Sequence, residues 1–463
     1  WLEKLLRITL KMPEIVDGMP QPKSHIKTLT KIGYDLNSAI SDIIDNSITA
    51  SAREINIKCP PSDDPYVLIS DDGHGMDLQE LLENMKIGCK DPDEERELHD
   101  LGRFGSGMKT ASFSQARKMT VITKKKDSDI AAARWDIDLI EETNSWCLEK
   151  LDLKDIENLP GFDTKLLSKH GTIIIWENLH FINSNDHAEL ENIIDENMAN
   201  LMKHIALYFH KFLKKKFKIK VQGNEVFAID PFMTTLKGYQ SGKSEIFNIK
   251  TNEGRLTCDI KVHVLPHHEN LTKEEIRKYG GMDEIYKNQG LYIYRSNRLI
   301  IAGGWMGLSR SYQLGKLARI EINVPSGLDK LWATDVKKSS LQLPNSIRQR
   351  LKKLVSIPIK KSTRAYTYRG TKEVANDFWR INENKRENTI SYEIDVSNPE
   401  LEAFRDSLSA DKISSLRDYL VSLSRNLPIN HIYEKMSTEP KSINQNDADT
   451  FIPEELAEKI SEY

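Results

Sequence analysis

Residues 101–112 read LGRFGSGMKTAS, and the fold turns on what this glycine-rich stretch is. In a Walker A loop, GxxxxGK[ST], the lysine directly follows the last glycine and the loop follows a buried strand. Gly102 and Gly107 have the right separation, but Met108 stands before Lys109 and Thr110, and the preceding residues are the charged ELHDL. Both requirements fail. What remains is a glycine-rich turn that opens a helix, because GMKTASFSQA supplies small residues and no proline. The free N–H groups of such a helix start favour phosphate oxygens, and Lys109 adds charge.

Upstream, GYDLNSAISDIIDNSITASA predicts a helix with Leu36, Ala39, Ile40, Ile43 and Ile44 along one side. Asp42, Asp45 and Asn46 stand at i, i+3 and i+4 and so share a face, opposite the isoleucines. An ordinary amphipathic helix has such a wet face. The alternative is chemical: Asn46 offers a hard oxygen to Mg²⁺ while a carboxylate beside it orients a water. Next, ISDDGHGMD runs from an apolar strand into Asp71, Asp72, Gly73, His74, Gly75 and Met76. Asp and Gly are ordinary turn formers. A carboxylate fixed at a strand end also accepts a hydrogen bond from an exocyclic amine such as that of adenine, and glycines let backbone pass close to the base.

The order of these motifs, closed by Gly171 and Thr172 at the start of the strand GTIIIWENL, resembles the GHKL ATPases (gyrase, heat-shock chaperone, histidine kinase and MutL class). Within that superfamily the chain is most similar to MORC-like proteins of prokaryotic type, whose glycine box has the form GRxGxGxKS. The resemblance implies ATP and Mg²⁺ as cofactors, with Asn46 as metal ligand and Asp71 as adenine acceptor. Gly73, Gly75 and Met76 would lie by the base, and Thr172 would make a second contact through water. Gly102, Gly105, Ser106, Gly107, Met108, Lys109 and Thr110 would cradle phosphates, with a lid from Gly88 to Gly105. Hydrolysing members usually place glutamate where this chain has Asp42, one methylene shorter, which implies slow turnover; Asp45 is the other candidate base. VQGNEVFAIDPF is similar to the opening strands of the transducer domain of gyrase, MutL and MORC proteins. The lysine that reaches the γ-phosphate from that domain would be Lys337 or Lys338, in WATDVKKSSLQLP.

At 463 residues the chain is expected to hold two or three domains. The expected fold class is α+β: an N-terminal arm (1–23), a two-layer α/β sandwich of GHKL ATP-binding type (24–222), a transducer-like α/β domain (223–358) and a small helical C-terminal region of unknown role (359–463). A net charge of −3 gives no global drive toward nucleic acid or anionic membrane. Four scattered cysteines without CxxC spacing, and no apolar run near the ~20 residues that span a bilayer, predict a cytoplasmic protein without membrane contact. The chain begins at Trp1, as a trimmed fragment would. His263, His267 and His268 in HVLPHH read as polar loop histidines rather than a metal site, and the lysines of KFLKKKFKIK as a solvated helix end or a contact for phosphate backbones.

The expected function is an Mg-ATP-dependent switch with slow hydrolysis and nucleotide-dependent homodimerisation. Analogy with prokaryotic MORC-like relatives suggests a role in DNA manipulation or defence against foreign DNA, with DNA or an operon-encoded protein as partner. The rivals are an ATP sensor with little hydrolysis, a chaperone-like ATPase, and a histidine kinase. The last is disfavoured because no helix with a phospho-accepting histidine precedes the motifs.

Overall fold

The computed structural model describes residues 20–31, 33–88, 107–167, 169–183, 186–215, 217–251, 254–308, 316–325, 348, 349, 351, 379–384, 389–395, 399–429, 431 and 432. Helices α1 (Pro22–Thr30) and α2 (Leu36–Thr49) come first, followed by strands β1 (Glu54–Lys58) and β2 (Tyr66–Asp71) and helix α3 (Leu78–Met85). Helix α4 (Gly107–Gln115) leads straight into β3 (Ala116–Lys124), then β4 (Ala131–Asp136), α5 (Ile137–Thr143), β5 (Leu148–Leu151), α6 (Leu153–Glu157) and β6 (Gly171–Leu179). Helices α7 (His187–Tyr208) and α8 (His210–Leu213) precede β7 (Lys218–Val221) and β8 (Asn224–Glu225).

These eight strands form one sheet in the order β5-β4-β3-β6-β2-β1-β7-β8. Side chains alternate across it. Ile174 and Trp176 of β6 face the main core, with Ile40, Ile43 and Ile44 of α2, Phe113 of α4 and Ile194 and Leu201 of α7. Ile173 and Ile175 face the other side, where Ile156 of α6, Leu159 and Leu167 cover a smaller core. The result is a two-layer sandwich with the polar helices α2 and α4 on one layer.

A second, five-stranded sheet has the order β12-β11-β13-β10-β9, from β9 (Gln240–Thr251), β10 (Gly254–Val264), β11 (Gly290–Arg295), β12 (Arg298–Ala302) and β13 (Ala318–Val324). Helices α9 (Lys273–Lys278) and α10 (Met282–Lys287) lie in the connection after β10. Toward the C-terminus, β14 (Trp379–Asn384) pairs with β15 (Thr389–Ile394), and α11 (Pro399–Asp406) and α12 (Ala410–Arg425) follow.

One expectation needs correction. Residues 221–225, the start of the stretch likened to opening transducer strands, close a hairpin whose β7 pairs in parallel with β1, so they belong to the first sheet. The strand within ISYEIDV, β15, pairs antiparallel with β14. The long helix α7 ends at Tyr208, and the short α8 follows.

Candidate nucleotide site

Helix α2 begins at an Asp35 cap, whose carboxylate accepts from Ser38 N. From there its polar residues reach in different directions. Tyr34 Oη donates to Asp42 Oδ2 at 3.1 Å. Ser41 Oγ lies 2.9 Å from His204 Nε2 on α7. Arg298 Nε, at the start of β12, donates to Asp45 Oδ1 at 3.2 Å. Ser47 Oγ donates to Asp71 Oδ2, at the end of β2, at 2.8 Å.

The face expected to be wet is therefore divided. Asn46 is exposed, but Asp42 and Asp45 keep only 6% and 1% of their surface. Tyr34 and the start of α4 cover Asp42, and the second sheet covers Asp45 through Arg298. Neither cover is visible in the local spacing.

Gly107 begins α4 beside Asp42, where a Cβ would stand 3.4 Å from Asp42 Oδ2. The amide-rich start of α4 thus meets the carboxylate side of α2. Helix α4 is held in that position by Trp176 Nε1 donating to Ser112 Oγ at 2.9 Å and Gln115 Nε2 donating to Tyr34 O at 3.0 Å. Met108 is half-buried against the main core. Thr110 is buried, and its Oγ1 donates to Gly107 O at 3.3 Å. Lys109 points inward: it is 2% exposed, and its Nζ donates to Asn84 O near the end of α3 at 2.7 Å.

At the other end of α2, Asp71 Oδ1 accepts from Gly73 N at 2.8 Å. Burial, the largest influence, pushes the Asp71 carboxyl above its ordinary range, while the donors Ser47, Gly73 and Thr172 oppose that rise. The surroundings are built from close backbone. Gly75 has φ +66°, and a Cβ there would collide with the Lys124 carbonyl; Gly171 has φ +142°, and a Cβ there would collide with the Asp71 carbonyl. Thr123 Oγ1 donates to Gly171 O at 3.0 Å, accepts from Met76 N at 3.0 Å and lies 3.2 Å from Thr172 Oγ1. Asp71, Gly73, Gly75, Met76 and Thr172 are thereby gathered together. Ser47 and Thr123 complete the group and carry no motif of their own; register Thr123↔Thr172 between β3 and β6 is the signal that would have found Thr123.

Gly88 is described and exposed. Gly102, Gly105, Ser106, Lys337 and Lys338, with most of the expected lid and arm, lie outside the described residues. Among the described residues no three His, Cys, Asp or Glu side chains gather as a metal cage. Mg²⁺ fits the site in the way usual for nucleotide enzymes, through one protein oxygen with phosphate and water supplying the rest; exposed Asn46 is of the right chemistry to provide that oxygen.

The two weaker features are also clarified. His263 is a strand residue, not a loop one: it is buried on β10, stacked 4.0 Å from Phe232, with Tyr239 Oη 2.7 Å from Nδ1 and Glu321 Oε2 3.1 Å from Nε2. In the basic stretch, Lys211, Lys214 and Lys220 pair with Glu321, Asp230 and Glu54. Among the described residues no helix is long and apolar enough to cross a membrane.

Residues 34–172 match the family described as histidine kinase-, DNA gyrase B-, and HSP90-like ATPase. The chain is also similar to the ATPase morc-1 of Caenorhabditis elegans, with 30% identity over 93 residues, which is 19% of this chain. The match spans 10% of that relative's length.

Proposed function

We propose that this chain, whose residues 34–172 match the family described as histidine kinase-, DNA gyrase B-, and HSP90-like ATPase, binds Mg-ATP along α2 and hydrolyses it slowly. One observation carries the reading: α2 touches the Asp71 group at Ser47 and the start of α4 at Asp42. A base acceptor and a phosphate-binding helix start are thus joined by a single rigid element. Adenine would give its exocyclic amine to Asp71, and the amides at the start of α4 would take phosphate oxygens.

Phosphoryl transfer leaves the protein mainly positioning and electrostatics to supply. Water attacks the γ-phosphorus in line, the bond to the ADP oxygen breaks, and the water proton passes to the Asp42 carboxylate. Mg²⁺ held through Asn46 would neutralise phosphate charge. Asp42 is favoured over Asp45 as the base because its carboxylate stands beside the start of α4, whereas Asp45 is turned to Arg298. The bond from Tyr34 fixes the Asp42 carboxylate, which compensates in part for its short side chain.

Nucleotide-gated pairing of two chains and action on DNA, in defence against foreign DNA, are finer parts of the proposal and rest on likeness to MORC-type proteins. Calorimetric titration with ATP, with and without Mg²⁺, followed by single-turnover phosphate release, tests the central reading. Binding with release supports an ATPase. Binding without release leaves a nucleotide sensor, and no binding refutes the reading. Light scattering with ADP and with a non-hydrolysable ATP analogue tests pairing: a mass unchanged by either nucleotide refutes it.

A further inference from the structure

Arg298 belongs to the second sheet yet touches the helix on which the proposed chemistry stands. It is 7% exposed. Its Nε donates to Asp45 Oδ1 at 3.2 Å, and its Nη1 donates to Leu299 O at 2.7 Å and Tyr208 O at 3.3 Å. The guanidinium lies 3.9 Å from the centre of the Phe209 ring. One planar group is thus fixed to β12, to the end of α7 and to α2. Asp45 directly precedes Asn46 and lies three residues after Asp42 on α2, so whatever moves Asp45 also moves both.

We infer that Arg298 is a positioning residue, which sets α2 so that Asp42 and Asn46 address the terminal phosphate and couples that alignment to the position of the second sheet. This rests on the ATPase reading above. Surface charges would not have this leverage. A buried guanidinium whose fork and face are both engaged has one orientation, and its carboxylate partner follows it. The neighbouring contact of Ser41 with His204 grips α2 one turn earlier, so Arg298 acts on a helix already held near its middle and adjusts the end that carries Asn46. Among the described residues the Arg298 side chain bonds to Asp45, Tyr208 and Leu299 rather than to Asp42, Asn46 or Asp71, which separates the role of positioning from that of binding.

The test uses Arg298→Lys, which keeps the charge and loses the fork, and Asp45→Asn, which keeps the size. ATP affinity is read by calorimetry and phosphate release by single turnover. Wild-type protein comes first: failure to bind ATP there refutes the ATPase reading and is distinct from failure of this inference. With wild type active, each variant should hold its ATP Kd within about threefold and lose roughly 10- to 100-fold in the rate of release, the scale on which small misplacements act. The double variant should lose no more than the worse single one, because the two residues act as one unit. Three results overturn the inference: a release rate within twofold of wild type in both variants, a loss of affinity equal to the loss of rate, or single losses that multiply in the double variant. If Arg298→Lys does not fold, Asp45→Asn alone decides by the same split between rate and affinity.

Discussion

Replacing Asp71 by asparagine tests the base site at the atom proposed to read it. The carboxylate accepts from Ser47 Oγ and Gly73 N, each at 2.8 Å, with the Thr172 backbone amide as a further donor. An ionised carboxylate has about four acceptor sites, so three internal donors leave capacity for one from a ligand amine. In Asp71→Asn the oxygen stays with Gly73 N, the amide nitrogen turns to Ser47, whose hydroxyl can reverse and accept, and the fold keeps its contacts. The ligand amine then meets a donor where it needs an acceptor. Losing a hydrogen bond to a charged group costs about 1.5–3 kcal/mol, or about 10- to 150-fold in ATP affinity. Calorimetry reads that loss, and a purine triphosphate with an oxo group in place of the amine is the control, because it has no such bond to lose. An ATP affinity within twofold of wild type, or equal losses for both nucleotides, would refute the assignment.

Asn46→Ala should leave the melting temperature unchanged, because the side chain is exposed, and remove the Mg²⁺-dependent part of ATP affinity in titrations with and without chelator. Asp42→Asn keeps the acceptor for Tyr34 and should bind ATP normally, while phosphate release falls by the ~10²- to 10⁴-fold typical of general-base loss. Gly75→Ala, with φ +66° and its Cβ driven into the Lys124 carbonyl, should cost about 2 kcal/mol or more, read as a lowered thermal midpoint. Burial, aided by the Arg298 charge, pushes His204 down to about 3, and burial pushes His210 down to about 4, against the ordinary 6.5. Both stay neutral in the fold while the unfolded chain takes up protons, so stability should fall as pH drops below 6.5. The loss is about 1 kcal/mol for each by pH 5.5. Denaturant midpoints at pH 7.5 and 5.5 measure this, and His210→Asn should flatten part of the slope.

The elements that were legible are those with strong local signatures. GTIIIWENL carries the β-branched run Thr172 to Ile175 and is β6 from end to end. The glycines of ISDDGHGMD announced a close backbone approach, and Gly75 makes one. β4, AAARWD, escaped notice because alanine carries little strand preference and its place comes from pairing with β3. The site divides in the same way. Asp71, Gly107 and Asn46 were singled out because their residue types suit a nucleotide. Asp45 was misjudged as solvated because its partner lies 253 residues away, and nothing in the neighbourhood of Lys109 reveals the Asn84 carbonyl that accepts from its ammonium. Local periodicity states which residues share a face, and only tertiary packing states what lies against that face.

The glycine floor around Asp71 also determines where the nucleotide preference proposed above can be redesigned. Gly75 and Gly171 have neighbouring backbone where a side chain would be, so every substitution there disrupts the chain before it reshapes the pocket. The adjustable positions are the walls. Ser47 holds one carboxylate oxygen, and Thr123 holds Met76 N and Gly171 O through a single hydroxyl. Thr123→Ser would remove one methyl group while keeping that hydroxyl, whereas Thr123→Val would keep the volume and release both backbone partners. A library aimed at a bulkier base therefore begins at Thr123 and Ser47 and leaves the glycines as they are.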